Sequence, residues 1–286
     1  MQKKINILFI GLGSAGQRHL RIISKLLKSR KKKIYCYRTT NRHLVIKDNL
    51  KTKKVKSLEN HYKIKKLSKK LIDTLNFDIV YITNPIYKHI EFALKFAKKG
   101  SNIFLEKPVS HNLNKTDLLK YTALKKKLSV CVGYQLRFHP GIKLIKDTIE
   151  NKTLGELVSA NFHFGEFLPN MHKYEDYSLT HMAQKKQGGG AVLCLSHEID
   201  LIRYLLGEPI ILKSKIKKTS SLKINVEDSL NATLKTKSNA KIRLNINFLD
   251  NPPKHFIKLK FKNGDLFWNY IDNYLIYMNK TLKKKK

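Results

Sequence analysis

Residues 5–21 confine this chain to few folds. An apolar run, Ile5–Ile10, meets glycines at 11, 13 and 16, and a helical pattern follows at once over Gln17–Lys28. Gly11 permits a tight turn out of a strand. Gly13 lets backbone approach a phosphate without a side chain in the way, and Gly16 permits close helix–strand packing. The helix N-terminus, with Ser14 and Ala15 between the glycines, offers unpaired N–H groups to an anion. Strand before and helix after is the context that separates a dinucleotide-binding turn from a chance glycine cluster. The pattern therefore implies that Gly11, Gly13, Ser14, Ala15 and Gly16 seat a pyrophosphate.

Strand and helix continue to alternate. Lys33–Tyr37 reads as a strand, residues 44–75 as lysine-rich loop with short strand and helix, Ile79–Ile82 as a strand, Ile86–Lys98 as a helix closed by Gly100, and Asn102–Leu105 as a strand. A helix over Asn114–Lys127 and a strand over Ser129–Val132 follow. This alternation predicts a doubly wound parallel sheet. The second half differs. After a strand within 156–168 and a helix behind the glycines at 188–190, strand-like runs succeed one another: Ile210–Ile216, Leu230–Lys235, Ala240–Phe248, His255–Phe261, Asp265–Asn269 and Tyr274–Met278. The expected fold class is α/β. A Rossmann domain over 1–120 precedes an α+β domain over 121–286 with an open, mostly antiparallel sheet.

With 58 basic against 21 acidic residues the formal charge is +37. The excess is 50 Lys against 8 Arg, scattered in short runs such as Lys31–Lys33, Lys125–Lys127 and Lys283–Lys286, the last read as a frayed end. Arginine, which makes the forked contacts to phosphates and bases, is scarce, and no nucleic-acid motif is present. No specific nucleic-acid partner is expected, although a basic surface would attract an acidic substrate. No apolar run is long enough to span a bilayer, and the start Met1–Lys4 lacks a cleavage site behind its apolar run. Three widely spaced cysteines, 36, 131 and 194, show no metal-ligand spacing and fit a reducing cytoplasm.

Two stretches place chemistry-bearing residues on this frame. Glu106-Lys107-Pro108 ends a buried strand at the edge where open α/β sheets bind ligands. A lysine there can exchange a proton with a substrate hydroxyl. In 188–204 the apolar spacing predicts one helix stopping at Gly207, with Cys194, His197, Asp200 and Tyr204 near one face. His197 suits acid–base work and Asp200 could orient it; a histidine merely satisfied by a core carbonyl fits the same residues.

These segments resemble the Gfo/Idh/MocA oxidoreductases. The matching pieces are the Gly11–Gly16 loop with Arg18-His19, Thr83-Asn84-Pro85 with His89, Glu106-Lys107-Pro108, Gly133–Phe138, Leu154-Gly155-Glu156, Gly188–Asp200 and Val226-Glu227-Asp228. The resemblance implies hydride transfer between nicotinamide and a sugar or nucleotide sugar, with Lys107 as catalytic lysine and His197 as its acid–base partner. It implies cofactor contacts at Thr83, Asn84, Pro85, His89, Glu106 and Arg137, no metal, and a homodimer or homotetramer. Many members carry an aspartate one turn before the histidine, where this chain has Cys194. Either Asp200 or Glu198 compensates, or Lys107 and His197 suffice, or activity is weak. That departure keeps a second reading open: a dinucleotide-binding sensor or partner subunit without turnover. Gly165–Pro169 and His172–Tyr177 resemble members of bacterial surface-glycan pathways. His172, Tyr174, Glu175 and Asp200 are then expected to meet the sugar, aromatics by ring face and carboxylates by hydroxyl.

In the NAD fingerprint an acid ends the second strand and holds the ribose 2′-OH. Here Arg38-Thr39-Thr40 stands instead. Arg38 is expected to pair with a 2′-phosphate or stack on adenine, and the Thr39 and Thr40 hydroxyls to donate to phosphate oxygens, which favours NADP over NAD.

Overall fold

In the computed structural model, which describes residues 4–279, Ile7 and Phe9 face one side of β1 (Ile5–Ile10) and Leu8 and Ile10 the other. All four are buried. A strand buried on both faces belongs inside a covered parallel sheet. Leu8 and Ile10 join Val80, Ile82, Phe96 and Leu105 in one cluster, while Ile7 and Phe9 join Leu20 and Cys36 in another. The chain runs on through α1 (Ser14–Leu26), β2 (Lys32–Tyr37), a separate hairpin of β3 (Leu44–Ile46) and β4 (Thr52–Lys54), α2 (Leu58–Tyr62), β5 (Lys65–Lys66), α3 (Lys69–Thr74), β6 (Ile79–Ile82), α4 (His89–Lys98), β7 (Asn102–Leu105), α5 (Thr116–Lys125) and β8 (Val130–Val132). The sheet order is β5-β2-β1-β6-β7-β8, parallel throughout. The connections leave β1 in opposite directions, so a crevice opens at the carboxyl ends of β1 and β6.

Serine caps create the helices in the weakly patterned stretch. Ser57 accepts from Asn60 N–H at the start of α2, and Ser68 accepts from Leu71 N–H at the start of α3. The expected helix from Ile86 opens instead with a 3₁₀ turn, Ile86–Lys88, before α4. Two compact units divide at Gly133/Tyr134, with Lys186–Gly188 returning to the first. This is later than the division expected at residue 120. The reason is β8: Ile103, Phe104 and Leu105 of β7 pair with Val130, Cys131 and Val132, which binds α5 and β8 to the parallel sheet.

The second unit begins with α6 (Pro140–Glu150), an element the sequence pattern did not announce. His139 caps it, its Nδ1 accepting from Gly141 N–H, and Pro140 supplies a preset first turn. After β9 (Leu157–Gly165), α7 (Leu168–Met171), α8 (Ala191–Cys194) and α9 (His197–Leu206) come β10 (Ile210–Lys217), β11 (Ser229–Lys235), β12 (Lys241–Asn247), β13 (Lys254–Phe261), β14 (Gly264–Asn269) and β15 (Tyr274–Asn279). The order is β10-β11-β12-β9-β13-β14-β15; β12 and β9 run parallel and the other neighbours antiparallel. Alternation is clean: Ile242, Leu244 and Ile246 are buried while Lys241 and Arg243 are exposed. One face is therefore covered and the other faces solvent. The single helix expected after the glycines is two, because the chain breaks helical geometry at Leu195–Ser196. Cys194 thus lies on α8, not on the face that carries His197. Gly207, at φ 80°, ends α9 as expected. The lysines at 283–286 lie outside the described residues.

Candidate functional site

The turn between β1 and α1 has the shape an anion needs. Gly11, at φ +92°, passes so close to Thr83 that an added Cβ would lie 2.9 Å from its carbonyl oxygen. A Cβ on Gly16 would lie 2.6 Å from Thr83 Oγ1 and 2.7 Å from Gly11 O. At Gly13 a Cβ would meet nothing within 4 Å. Gly13 is also the N-cap of α1, and neither a capping side chain nor a first-turn acid competes for the helix N–H groups. Nearby, Asn84 Oδ1 is buried without a hydrogen-bond partner. An open approach at Gly13, an uncapped helix N-terminus and an orphaned amide oxygen fit a dinucleotide.

Thr83 shapes this turn from behind: its hydroxyl donates to Gly11 O at 2.9 Å, and its N–H donates to Ile10 O at 2.9 Å. Beside the cofactor contact expected of it, Thr83 thus shapes the loop. Pro85 leads into the 3₁₀ turn beside it. His89, expected to touch the cofactor, is 1% exposed, with Nδ1 2.9 Å from Pro108 O and Nε2 2.8 Å from Asn84 O. Both ring nitrogens are taken by backbone, so His89 ties the turn after β6 to the turn after β7 instead of reaching a ligand. Burial lowers its pKa, against the pull of the Pro108 and Asn84 carbonyls.

Glu106 and Lys107 stand where β7 ends. Glu106 Oε1 is 2.7 Å from His19 Nε2, and Oε2 accepts from Lys107 N–H at 3.1 Å. His19 reaches from α1 and packs on Phe104, with ring centroids 4.5 Å apart. Burial opposes ionisation of Glu106, but the His19 hydrogen bond and the charges of His19, Lys107 and Arg18 outweigh it and hold the carboxyl below its ordinary range. An anionic Glu106 thereby fixes the backbone of Lys107. His19 was legible only as part of a motif; nothing in the spacing paired it with a residue 87 positions away.

Arg38 differs most from expectation. Its Nε and Nη2 donate to the two oxygens of Glu59 at 2.8 and 3.2 Å, and Nη1 donates to Thr40 O and Arg42 O at 2.8 and 2.9 Å. The guanidinium is 4% exposed and already satisfied, so it does not stand ready for a 2′-phosphate. That removes the argument for NADP; Thr39 remains exposed at the end of β2.

In the second unit His197 opens α9, buried, with the Tyr134 ring 5.9 Å away in T-shaped contact. Tyr134 OH lies 3.4 Å from Ser196 Oγ. Asp200, a candidate to orient His197 or meet substrate, instead pairs both oxygens with Arg137: Nε to Oδ2 at 2.8 Å and Nη2 to Oδ1. Arg137, expected at the cofactor, makes that fork and packs on Tyr204 at 5.1 Å, with 42% of its side chain exposed. Glu198, 0% exposed, binds His255 of β13 at 2.5 Å and leaves Oε2 without a partner. The carboxylates offered as substitutes for the missing aspartate thus brace α9 against α6's entry and β13. His172 and Tyr174 stack with centroids 5.3 Å apart, and His172 Nδ1 is 3.4 Å from Glu175 Oε1. These three do form one half-buried aromatic–carboxylate group. Glu166, two residues before α7, joins the same stretch, its pKa raised by burial against the pull of His172 and His255. Glu227 and Asp228 turn out to be architectural. Glu227 caps α8 through Val192 N–H at 3.2 Å, and Asp228 accepts from the N–H groups of Thr219 and Ser220.

Among the described residues no helix is long and apolar enough to cross a membrane. Comparison with known proteins agrees with both units. Residues 5–134 match the family model described as "Oxidoreductase family, NAD-binding Rossmann fold", and residues 142–266 match the "GFO/IDH/MocA C-terminal domain". Uncharacterized oxidoreductase YrbE of Bacillus subtilis is 27% identical over 73% of this chain and 56% of its own length. Levoglucosan dehydrogenase of Pseudarthrobacter phenanthrenivorans is 30% identical over 48% of this chain and 35% of its own. The chain thus spans about half or less of these curated relatives. The fold matches the WlbA dehydrogenase from Bordetella pertussis, solved with NADH and UDP-GlcNAcA, at TM-score 0.81 and 17% identity, covering 97% of this chain and 78% of that one. With a family model on each unit, this chain belongs to the GFO/IDH/MocA oxidoreductases.

Proposed function

We propose that the chain is an NAD-dependent dehydrogenase or reductase acting at a CH–OH or C=O carbon of a sugar or nucleotide sugar. The observation that carries this is the Glu106–Lys107 turn, fixed by His19 at the carboxyl edge of the sheet that also bears the open glycine turn. The N–H groups of α1 would hold the pyrophosphate, and the Asn84 amide oxygen would accept from the nucleotide. When bound, the nicotinamide supplies the hydride acceptor or donor. Lys107 Nζ takes the hydroxyl proton as the C–H bond gives up its hydride and the C–O bond becomes C=O, and returns it in reduction. His197 is the acid–base residue of the second unit. His172, Tyr174 and Glu175 offer a ring face and hydroxyl partners to a sugar. The names of relatives support the substrate class: levoglucosan dehydrogenase, and a dehydrogenase solved with UDP-GlcNAcA. A place in surface-polysaccharide synthesis rests on the resemblance of Gly165–Pro169 and His172–Tyr177 to members of such pathways. The expected self-association would use exposed apolar residues on the second sheet, among them Ile211, Ile216, Ile276 and Met278.

The test follows NADH fluorescence on titration, then the loss of NADH absorbance with a panel of keto-sugars and its appearance from NAD+ with sugars and UDP-sugars that carry free hydroxyls. Lys107→Met should lower kcat by about 100-fold or more while leaving the NADH Kd within about threefold. Undiminished turnover would remove Lys107 from the chemistry. Tight NADH binding with no turnover in either direction across the whole panel would favour the sensor or partner-subunit reading.

A further inference from the structure

Arg38 leaves β2 beside the phosphate turn: Ile10 pairs with Tyr37, and Gly11 N–H donates to Tyr37 O at 2.9 Å. In a doubly wound sheet this corner receives the adenosine ribose. No acid ends β2. One arrives from elsewhere: Glu59, on α2, 21 residues further along, brings its carboxylate to the Arg38 side chain. Four of the five N–H donors of Arg38 are used, two on Glu59 and two on the Thr40 and Arg42 carbonyls. Ser57, the α2 cap, donates its hydroxyl to Glu59 Oε2 at 2.8 Å. The Arg38 hydrogen bond leads the causes that depress the Glu59 carboxyl to about 2, against burial, so it is ionised throughout the neutral range. The pair is neutral as a unit, and the Glu59 side chain keeps 13% of its surface exposed.

We infer that Glu59 is the residue that selects NAD over NADP in this chain: it keeps Arg38 occupied and sets an anionic acceptor at the adenosine corner. This rests on the nucleotide-binding reading above. A ribose 2′-OH can donate to such a carboxylate. A 2′-phosphate, with a charge near −2, would meet a carboxylate whose ion-pair partner, Arg38, is already shared. Selectivity is therefore encoded by sequestration, with the arginine that would favour NADP present but withheld.

The experiment titrates the full chain with NADH and NADPH, followed by nucleotide fluorescence, with thermal melts of every variant. The wild type should bind NADH at least about tenfold more tightly than NADPH. Glu59→Gln keeps an amide oxygen for Arg38 but removes the charge. It should gain about tenfold or more for NADPH and weaken NADH severalfold, so that the preference is lost or reversed. Adding Arg38→Ala to Glu59→Gln should cancel the gain, whereas adding Arg42→Ala should not. Glu59→Asp, which keeps the charge, should retain the wild-type ranking and covers the case in which Glu59→Gln melts early. Equal wild-type affinities, or an unchanged ratio in a folded Glu59→Gln that still binds NADH, would overturn the assignment of Glu59 alone. Absence of wild-type binding to either nucleotide would overturn the proposed function with it.

Discussion

Glu106 shows how a single side chain carries both fold and function. It is largely buried, yet it is anionic because His19 and the Lys107 N–H each take one of its oxygens. A carboxyl whose folded pKa lies below its unfolded value near 4.5 contributes stability that is fully present above that value. The contribution is lost as pH falls through the folded pKa. Wild-type melting temperature should therefore drop by more than that of Glu106→Gln as pH falls below about 4.5, since the variant has no proton to gain there. At pH 7 the variant should be the less stable of the two by about 1–3 kcal/mol, since a charge-assisted bond to His19 is replaced by a weaker one. Parallel slopes for the two proteins from pH 6 to 3, measured by thermal melts, would contradict this account. Arg38 gives the complementary lesson. The end of β2 is legible as a place where an arginine stands, but not that Glu59 claims it, because a buried pair depends on where α2 lands.

At the scale of elements, legibility followed periodicity. Strands β1, β6 and β7 match the sequence reading residue for residue, since a short apolar run bounded by glycine or a charged turn has one good solution. The loss of α6 came from its start: His139 is an unusual cap, and Pro140 reads as a breaker when it is in fact a first-turn residue. The break at Leu195–Ser196 is invisible to a period of 3.6, because the apolar positions stay in phase across it. In the glycine turn both the set of three and their separate roles were readable from the sequence, and the coordinates supply the distances. Gly16 is crowded by Thr83 and Gly11, and Gly13 has only open space. This separates stability from binding. Gly13→Ala, at φ −73°, should leave melting within about 2 °C of wild type and weaken NADH at least tenfold, because its methyl group occupies only the phosphate approach. Gly16→Val should lower both. Melts and fluorescence titrations on the two variants check the pair, and a Gly13→Ala protein that binds NADH normally would place the pyrophosphate elsewhere.

The largest property of the whole molecule is its charge of +37, and the strands show where it goes. On β13, Lys254, Lys258 and Lys260 point outward between buried His255, Ile257, Leu259 and Phe261. On β12, Lys241 and Arg243 do the same between Ile242, Leu244 and Ile246. The lysines occupy positions the alternation assigns to solvent, so the excess is spread over a surface and not gathered into a reading motif. Such a surface attracts any polyanion by counterion release and distinguishes none. Duplex DNA should accordingly shift in a gel at about 0.05 M salt regardless of sequence and be released by about 0.2 M, a loss of about a thousandfold or more. NADH offers two phosphates, and its binding here would draw on backbone N–H groups and the Asn84 amide as well. Its affinity should fall less than about tenfold over the same interval. The two slopes, measured on one preparation, separate incidental attraction from a built site. A sequence-dependent complex surviving at about 0.2 M salt would make the lysine surface functional in its own right.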